Sequence, residues 1–83
     1  MQTYGNMAGE SGVVGYEIHA DSIQLQFAAG WIYEYTYITA GVANVERMKE
    51  LAKSGQGLSS FVTRNVANSF ASKTRAPIAR NLW

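Results

Sequence analysis

The sequence predicts an α+β domain: a three-stranded antiparallel β-meander packed on two C-terminal α-helices. Three observations predict it. Apolar and polar residues alternate with period two in three successive runs between Val13 and Tyr37. Short turn-forming segments, Ala20-Asp21 and Ala28-Ala29-Gly30, separate the runs. From Val42 onward the apolar spacing changes to three and four, the repeat of a helix.

The first run, Val13 to His19, sets Val14, Tyr16 and Ile18 against Glu17 and His19. The second, Ser22 to Phe27, sets Ile23, Leu25 and Phe27 against Ser22, Gln24 and Gln26. Gly30 is the natural residue for a positive φ in the turn that follows. The third run, Trp31 to Tyr37, puts Trp31, Tyr33 and Tyr35 on one face and Ile32, Glu34 and Thr36 on the other. One face of the meander is therefore apolar and must be covered; the other can meet water. Three strands cannot bury a face alone, so the cover must come from the segment that follows.

Thr39 is expected to cap a helix whose buried face is Val42, Val45, Met48, Leu51 and Ala52. Glu46, Lys49 and Glu50 fall on its wet side, and Gly55 is the expected stop. A second helix begins near Gly57 or Leu58 and presents Leu58, Phe61, Val62, Val66 and Phe70 inward. Residues 72–83 follow no period, and Pro77 blocks a helix there. The organisation read from this is a loose lead-in over residues 1–11, one domain over 12–71 and a basic tail over 72–83, ending in the apolar pair Leu82 and Trp83 that either docks on the body or frays.

The absence of cysteine excludes disulfides, thiolate metal sites and a cysteine nucleophile within these 83 residues. Small secreted domains are usually disulfide-dense, so a reducing, cytoplasmic setting is expected. No apolar run is long enough to span a membrane, and Met1 to Asn6 does not read as the start of a signal peptide. Charge is divided along the chain. Residues 1–46 carry Glu10, Glu17, Asp21, Glu34 and Glu46 and no base; the remainder carries Arg47, Lys49, Lys53, Arg64, Lys73, Arg75 and Arg80 against Glu50 alone, giving −5 and +6. Such a split points to charged partners or to head-to-tail contacts.

An ordered series of residues resembles a known family. Val14-Gly15-Tyr16, Leu25-x-Phe27-x-x-Gly30, Tyr33-x-Tyr35, Ser54-Gly55 and Phe61 with Arg64-Asn65-Val66 follow one another as in the KTSC domain. That domain is found at the C-terminus of some lysyl-tRNA synthetases and as a stand-alone bacterial protein. The match covers roughly residues 12–70 and centres on the Tyr-x-Tyr hallmark at Tyr33 and Tyr35. Thr39-Ala40 stands where family members often carry Pro, and both choices suit a helix start. The resemblance implies a domain of unknown function for which RNA binding is proposed from the synthetase fusions, and it supplies no catalytic residues. Tyr33, Tyr35, Gly30, Phe27, Arg64 and Asn65 are its motif positions, read as structural.

Each candidate site has a plain explanation beside the functional one. Stacked aromatics on a sheet can bind bases, yet Trp31, Tyr33 and Tyr35 share the face the helices need, so core packing is the reading taken. The open face shows Glu17 and Glu34, which repel phosphate. Any RNA surface is therefore expected on the helix side and tail: Lys49, Lys53, Arg64, Lys73, Arg75 and Arg80. Ordinary surface solvation accounts for the same residues. His19 with Glu17 falls short of a zinc site, and Ser54-Gly55-Gln56-Gly57 lacks the ending of a phosphate loop. On the KTSC resemblance the chain is read as a non-enzymatic RNA-binding module for tRNA or single-stranded RNA, with no cofactor, metal, small-molecule substrate or membrane partner. The alternative is a protein-interaction or self-association module that adds a strand to the exposed edge of the third run.

Overall fold

The three alternating runs form the centre of a larger sheet. The computed structural model describes residues 2–5 and 12–75. Five strands, β1 (Gln2–Thr3), β2 (Val13–His19), β3 (Ser22–Phe27), β4 (Trp31–Thr36) and β5 (Ser72–Arg75), pair antiparallel in the order β1-β2-β3-β4-β5. The expected three-stranded meander is β2-β3-β4, and a strand from each end of the chain extends it. Neither added strand has an apolar alternation of its own, since all residues of β1 and β5 are exposed. What they satisfy is backbone: a strand edge offers a row of unpaired donors and acceptors. Gln2 pairs with Tyr16 and Thr3 with Gly15, while Trp31, Ile32, Tyr33 and Glu34 pair with Arg75, Thr74, Lys73 and Ser72. The third run is therefore interior to the sheet, and the edge expected to recruit a partner strand is occupied by residues assigned from sequence to the tail.

One apolar position shifts. A bulge between Val13 and Gly15, opposite Phe27 and Gln26, turns Val13 inward and leaves Val14 exposed. The inward-facing alternation resumes at Tyr16, which pairs with Leu25, and Ile18, which pairs with Ile23. On the other face Ser22 is buried, flanked in register by His19 and Thr36.

The chain leaves β4 directly into a four-residue helix, α1 (Tyr37–Ala40). Thr36, not Thr39, is its N-cap: the Thr39 N–H donates to Thr36 Oγ1 and the Thr36 N–H to Thr39 Oγ1, both at 3.1 Å. Gly41, at φ 91°, then turns the chain into α2 (Val42–Ser54). The buried face of α2 is rotated from the sequence expectation: Val45, Met48 and Ala52 are inside, Val42 is exposed and Lys49 is buried. Gly55 ends α2 in the left-handed conformation, its N–H bonded to the Leu51 carbonyl. The second predicted helix begins as α3 (Leu58–Phe61) and widens into a π-helical turn over Val62–Val66. Leu58, Val62 and Val66 are buried along it, whereas Phe70 lies beyond its end and packs against the core. Among the described residues no helix is long and apolar enough to cross a membrane.

The core forms where α2 and the α3–π segment meet Ile23, Leu25 and Tyr35. Tyr4 completes it. The ring is buried, its N–H donates to the Val14 carbonyl and its Oη accepts from the Leu58 N–H at 3.2 Å. The helices cover the Ile23 and Leu25 region fully, while Phe27, Trp31 and Tyr33 are only half-buried.

Candidate nucleic-acid interface

The half-covered end of the sheet is aromatic. Trp31 and Tyr33 project to the helix side from β4, two residues apart, and Phe27 comes from the end of β3. Tyr33 is fixed by three rings: Phe27 at 5.3 Å and Phe70 at 5.0 Å in edge-on contact, and Tyr35 at 6.4 Å in near-parallel stacking. Gly30, at φ 95°, closes the β3–β4 turn with its N–H on the Phe27 carbonyl at 2.8 Å. This turn sets the spacing of Phe27 and Trp31 on either side.

Between this aromatic end and the π-helical turn lies a cleft of about 310 Å³, lined by Phe27, Trp31, Tyr33, Tyr35, Val62 and Ala67. Among the described residues its lining contains no acidic side chain. The Tyr35 ring is 1% exposed, and burial, with Tyr33 alongside, pushes its hydroxyl up to about 12. The floor is therefore neutral across the physiological range.

Two cations stand beside the cleft. Lys73 and Arg75 alternate with Ser72 and Thr74 on β5, so both fall on the side of Trp31 and Tyr33. Lys73 Nζ lies 4.8 Å from the Trp31 ring centre and 5.5 Å from that of Tyr33. The Arg75 guanidinium carbon lies 5.3 Å from the Trp31 ring centre. These are cation–π distances, and both side chains are exposed enough to reach a ligand.

The other predicted basic residues divide. Arg64 is exposed on the π-helical turn between buried Val62 and Val66, so it shares the segment that forms one wall of the cleft. Asn65, also on that turn, donates from Nδ2 to the Phe61 carbonyl at 3.1 Å and acts on the backbone. Lys49 is withdrawn from any surface role. Its Nζ donates to the Ala20 carbonyl at 3.0 Å and pairs with Glu46 at 2.8 Å. Tyr37 Oη donates to the same Glu46 carboxylate. Hydrogen bonds from Lys49 and then Tyr37 hold the Glu46 carboxyl below the usual carboxylate range. Lys53 borders a different groove, of about 520 Å³, with Gln2, Tyr16, Glu17 and Ile18. There an acid and a base offset one another, and the Glu17 carboxylate pairs with His19 Nε2 at 3.0 Å. Arg80 lies outside the described residues.

Sequence reasoning assigned Trp31 and Val62 to the core and Ala67 to a polar helix face, and did not bring the three together at one cleft. The available signal was the spacing of Lys73 and Arg75, two apart like Trp31 and Tyr33, which is what an antiparallel neighbour of β4 requires. Among the described residues, no group of three or more His, Asp or Glu side chains is placed to hold a metal ion. Compared with protein-family models, curated proteins and solved structures, the chain gives no match, so the reading of the cleft rests on its own geometry and chemistry.

Proposed function

We propose that this chain is a non-enzymatic accessory module that binds single-stranded nucleic acid, RNA foremost, through the aromatic cleft. The observation that carries the reading is Trp31, an indole at the cleft that two cations approach to 4.8 and 5.3 Å. An aromatic face beside positive charge is the combination that unpaired bases and their phosphates require. Stacking of a base on an aromatic side chain is worth about 1–3 kcal/mol, and Lys or Arg beside it supplies the salt-sensitive attraction to phosphate. Duplex bases keep their faces stacked on one another, so a cleft of this kind favours unpaired strands. The π-helical wall adds weight, since single-turn π segments recur at functional sites. The KTSC resemblance and the RNA binding proposed from the synthetase fusions point the same way, as does the expectation of a cytoplasmic setting.

The surface differs from the one expected on charge alone. Lys73, Arg75 and Arg64 belong to it, and Lys49 and Lys53 do not. The acidic open face, with Glu17 and Glu34, has no part in it. The test is a titration of the full chain against single-stranded and double-stranded RNA at two salt concentrations, repeated with Trp31→Ala. Binding that prefers the single strand, weakens with salt and disappears with Trp31→Ala is the expected result. Equal binding of wild type and Trp31→Ala would remove the assignment to the cleft.

A further inference from the structure

The dimensions of the cleft and the aromatic surface around it limit how much of a strand can be held. We infer that the site takes one nucleotide, a base against Trp31 with its phosphate between Lys73 and Arg75, rather than a run of stacked bases. The inference rests on the nucleic-acid reading above and goes beyond it by naming the unit recognised.

Three observations carry it. The cleft measures about 310 Å³, at the lower end of the roughly 300–1,000 Å³ typical of small-ligand pockets. Among the described residues Trp31 is the ring of the cleft with no ring-to-ring contact, whereas Phe27 is engaged edge-on by Tyr33. Tyr33 is enclosed by Phe27, Phe70 and Tyr35, and Tyr35 is 1% exposed. Beyond Tyr35 the same face of the sheet is sealed by the core at Ile23 and Leu25, so a second base finds no platform. Charge agrees with this footprint. Lys73 and Arg75 converge on the same indole, and no acidic residue among the described ones lines the cleft. A strand following the sheet to its other face would meet Glu17 and Glu34, which pair in register with Gln24 on either side.

The experiment is a calorimetric titration of the full chain with adenosine monophosphate, adenosine and a short oligoadenylate, each at several salt concentrations. The monophosphate is expected to bind within about threefold of the oligonucleotide, and adenosine about tenfold or more weaker. For the oligonucleotide, log K against log salt should have a slope near −0.7, as for about one phosphate contact. Lys73→Gln with Arg75→Gln should bring the monophosphate down to the affinity of adenosine. An oligonucleotide that binds more than about thirtyfold tighter than the monophosphate, with a slope steeper than about −3, would overturn the one-nucleotide footprint and leave nucleic-acid binding standing. Equal binding of adenosine and the monophosphate would overturn the role of the two cations. Failure of all three ligands would overturn the nucleic-acid reading itself.

Discussion

Arg75 stands directly opposite Trp31 across β4 and β5, with its guanidinium carbon 5.3 Å from the centre of the indole ring. Lys73, opposite Tyr33, reaches the same ring. The pairing does two things at once. It fastens a short polar strand to the edge of the sheet, and it sets positive charge beside an aromatic face. A strand with no buried side chain needs such contacts, because its ladder hydrogen bonds alone replace bonds to water.

The first prediction concerns this fastening. Each exposed cation–π contact is worth about 0.5–1 kcal/mol. Replacing Lys73 and Arg75 together with Gln should therefore release β5 without unfolding the rest. Amide exchange of residues 72–75 should accelerate by roughly tenfold, following the conversion of about 1.4 kcal/mol to a factor of ten. Exchange at Ile23 and Leu25 should not change. Uniform acceleration across both sets would show that β5 belongs to the same cooperative unit as the core.

The second prediction separates two adjacent valines. Val13 is fully buried and Val14 is 42% exposed. Val13→Thr places a hydroxyl among apolar atoms and should cost about 1–3 kcal/mol. Val14→Thr should lie within about 0.5 kcal/mol of wild type. Urea denaturation of the two variants reads the difference, and the reverse order would mean that the bulge is absent.

That pair of residues also marks where the sequence stops being a guide. Alternation identifies β2, β3 and β4, because half-buried strands impose it, and the α2 stop at Gly55 is plain from the residue type. A bulge leaves no such trace: either valine satisfies an apolar position, and only the pairing with Phe27 selects Val13. The strands β1 and β5 were illegible for a related reason. Their residues bury nothing, so no hydrophobic pattern records them, and they form because β2 and β4 offer unpaired backbone. Lys49 shows a third limit. Periodicity assigned it to the wet side of α2, but its long stem lets the ammonium reach the Ala20 carbonyl while the residue is buried. The aromatic stripe was legible as a core, which Tyr35 bears out, whereas the exposure of Trp31 depends on how far the helices extend over the sheet.

Tyr4 supports the third prediction. Its hydroxyl accepts from the Leu58 N–H, the first of α3, at a buried position. Tyr4→Phe keeps the ring and leaves that donor unsatisfied, so the cost should be about 1–3 kcal/mol. In a domain of this size each kcal/mol lowers Tm by roughly 4–8 °C. A Tm unchanged by Tyr4→Phe would mean that water satisfies the Leu58 N–H.

The fourth prediction is a pH dependence from Glu46. Its carboxyl titrates below its usual value of 4.5 because Lys49 and then Tyr37 hydrogen-bond to the charged form. A depressed folded-state value means that the unfolded chain binds the proton more readily. The stabilisation is therefore complete above the ordinary carboxylate range and is lost as pH falls through the depressed value. Glu46→Gln should flatten that part of the stability profile, measured by urea midpoints from about pH 6 downward. An unchanged acid limb would assign the loss of stability to other carboxylates.

The last prediction tests the cleft without touching its charges. Ala67 is exposed and lines the cleft opposite the aromatic end of the sheet. Ala67→Leu projects a larger apolar side chain into the space without altering Trp31, Lys73 or Arg75. As a surface change it should move stability by no more than about 0.5 kcal/mol. Nucleotide or single-stranded RNA binding should nevertheless fall at least about tenfold, which corresponds to about 1.4 kcal/mol and to the lower part of the range for one lost base stack. The salt slope of the residual binding should stay near that of wild type, because the phosphate contacts remain. Full affinity in Ala67→Leu would place the ligand on the outer side of β5, where Lys73 and Arg75 are reached without entering the cleft.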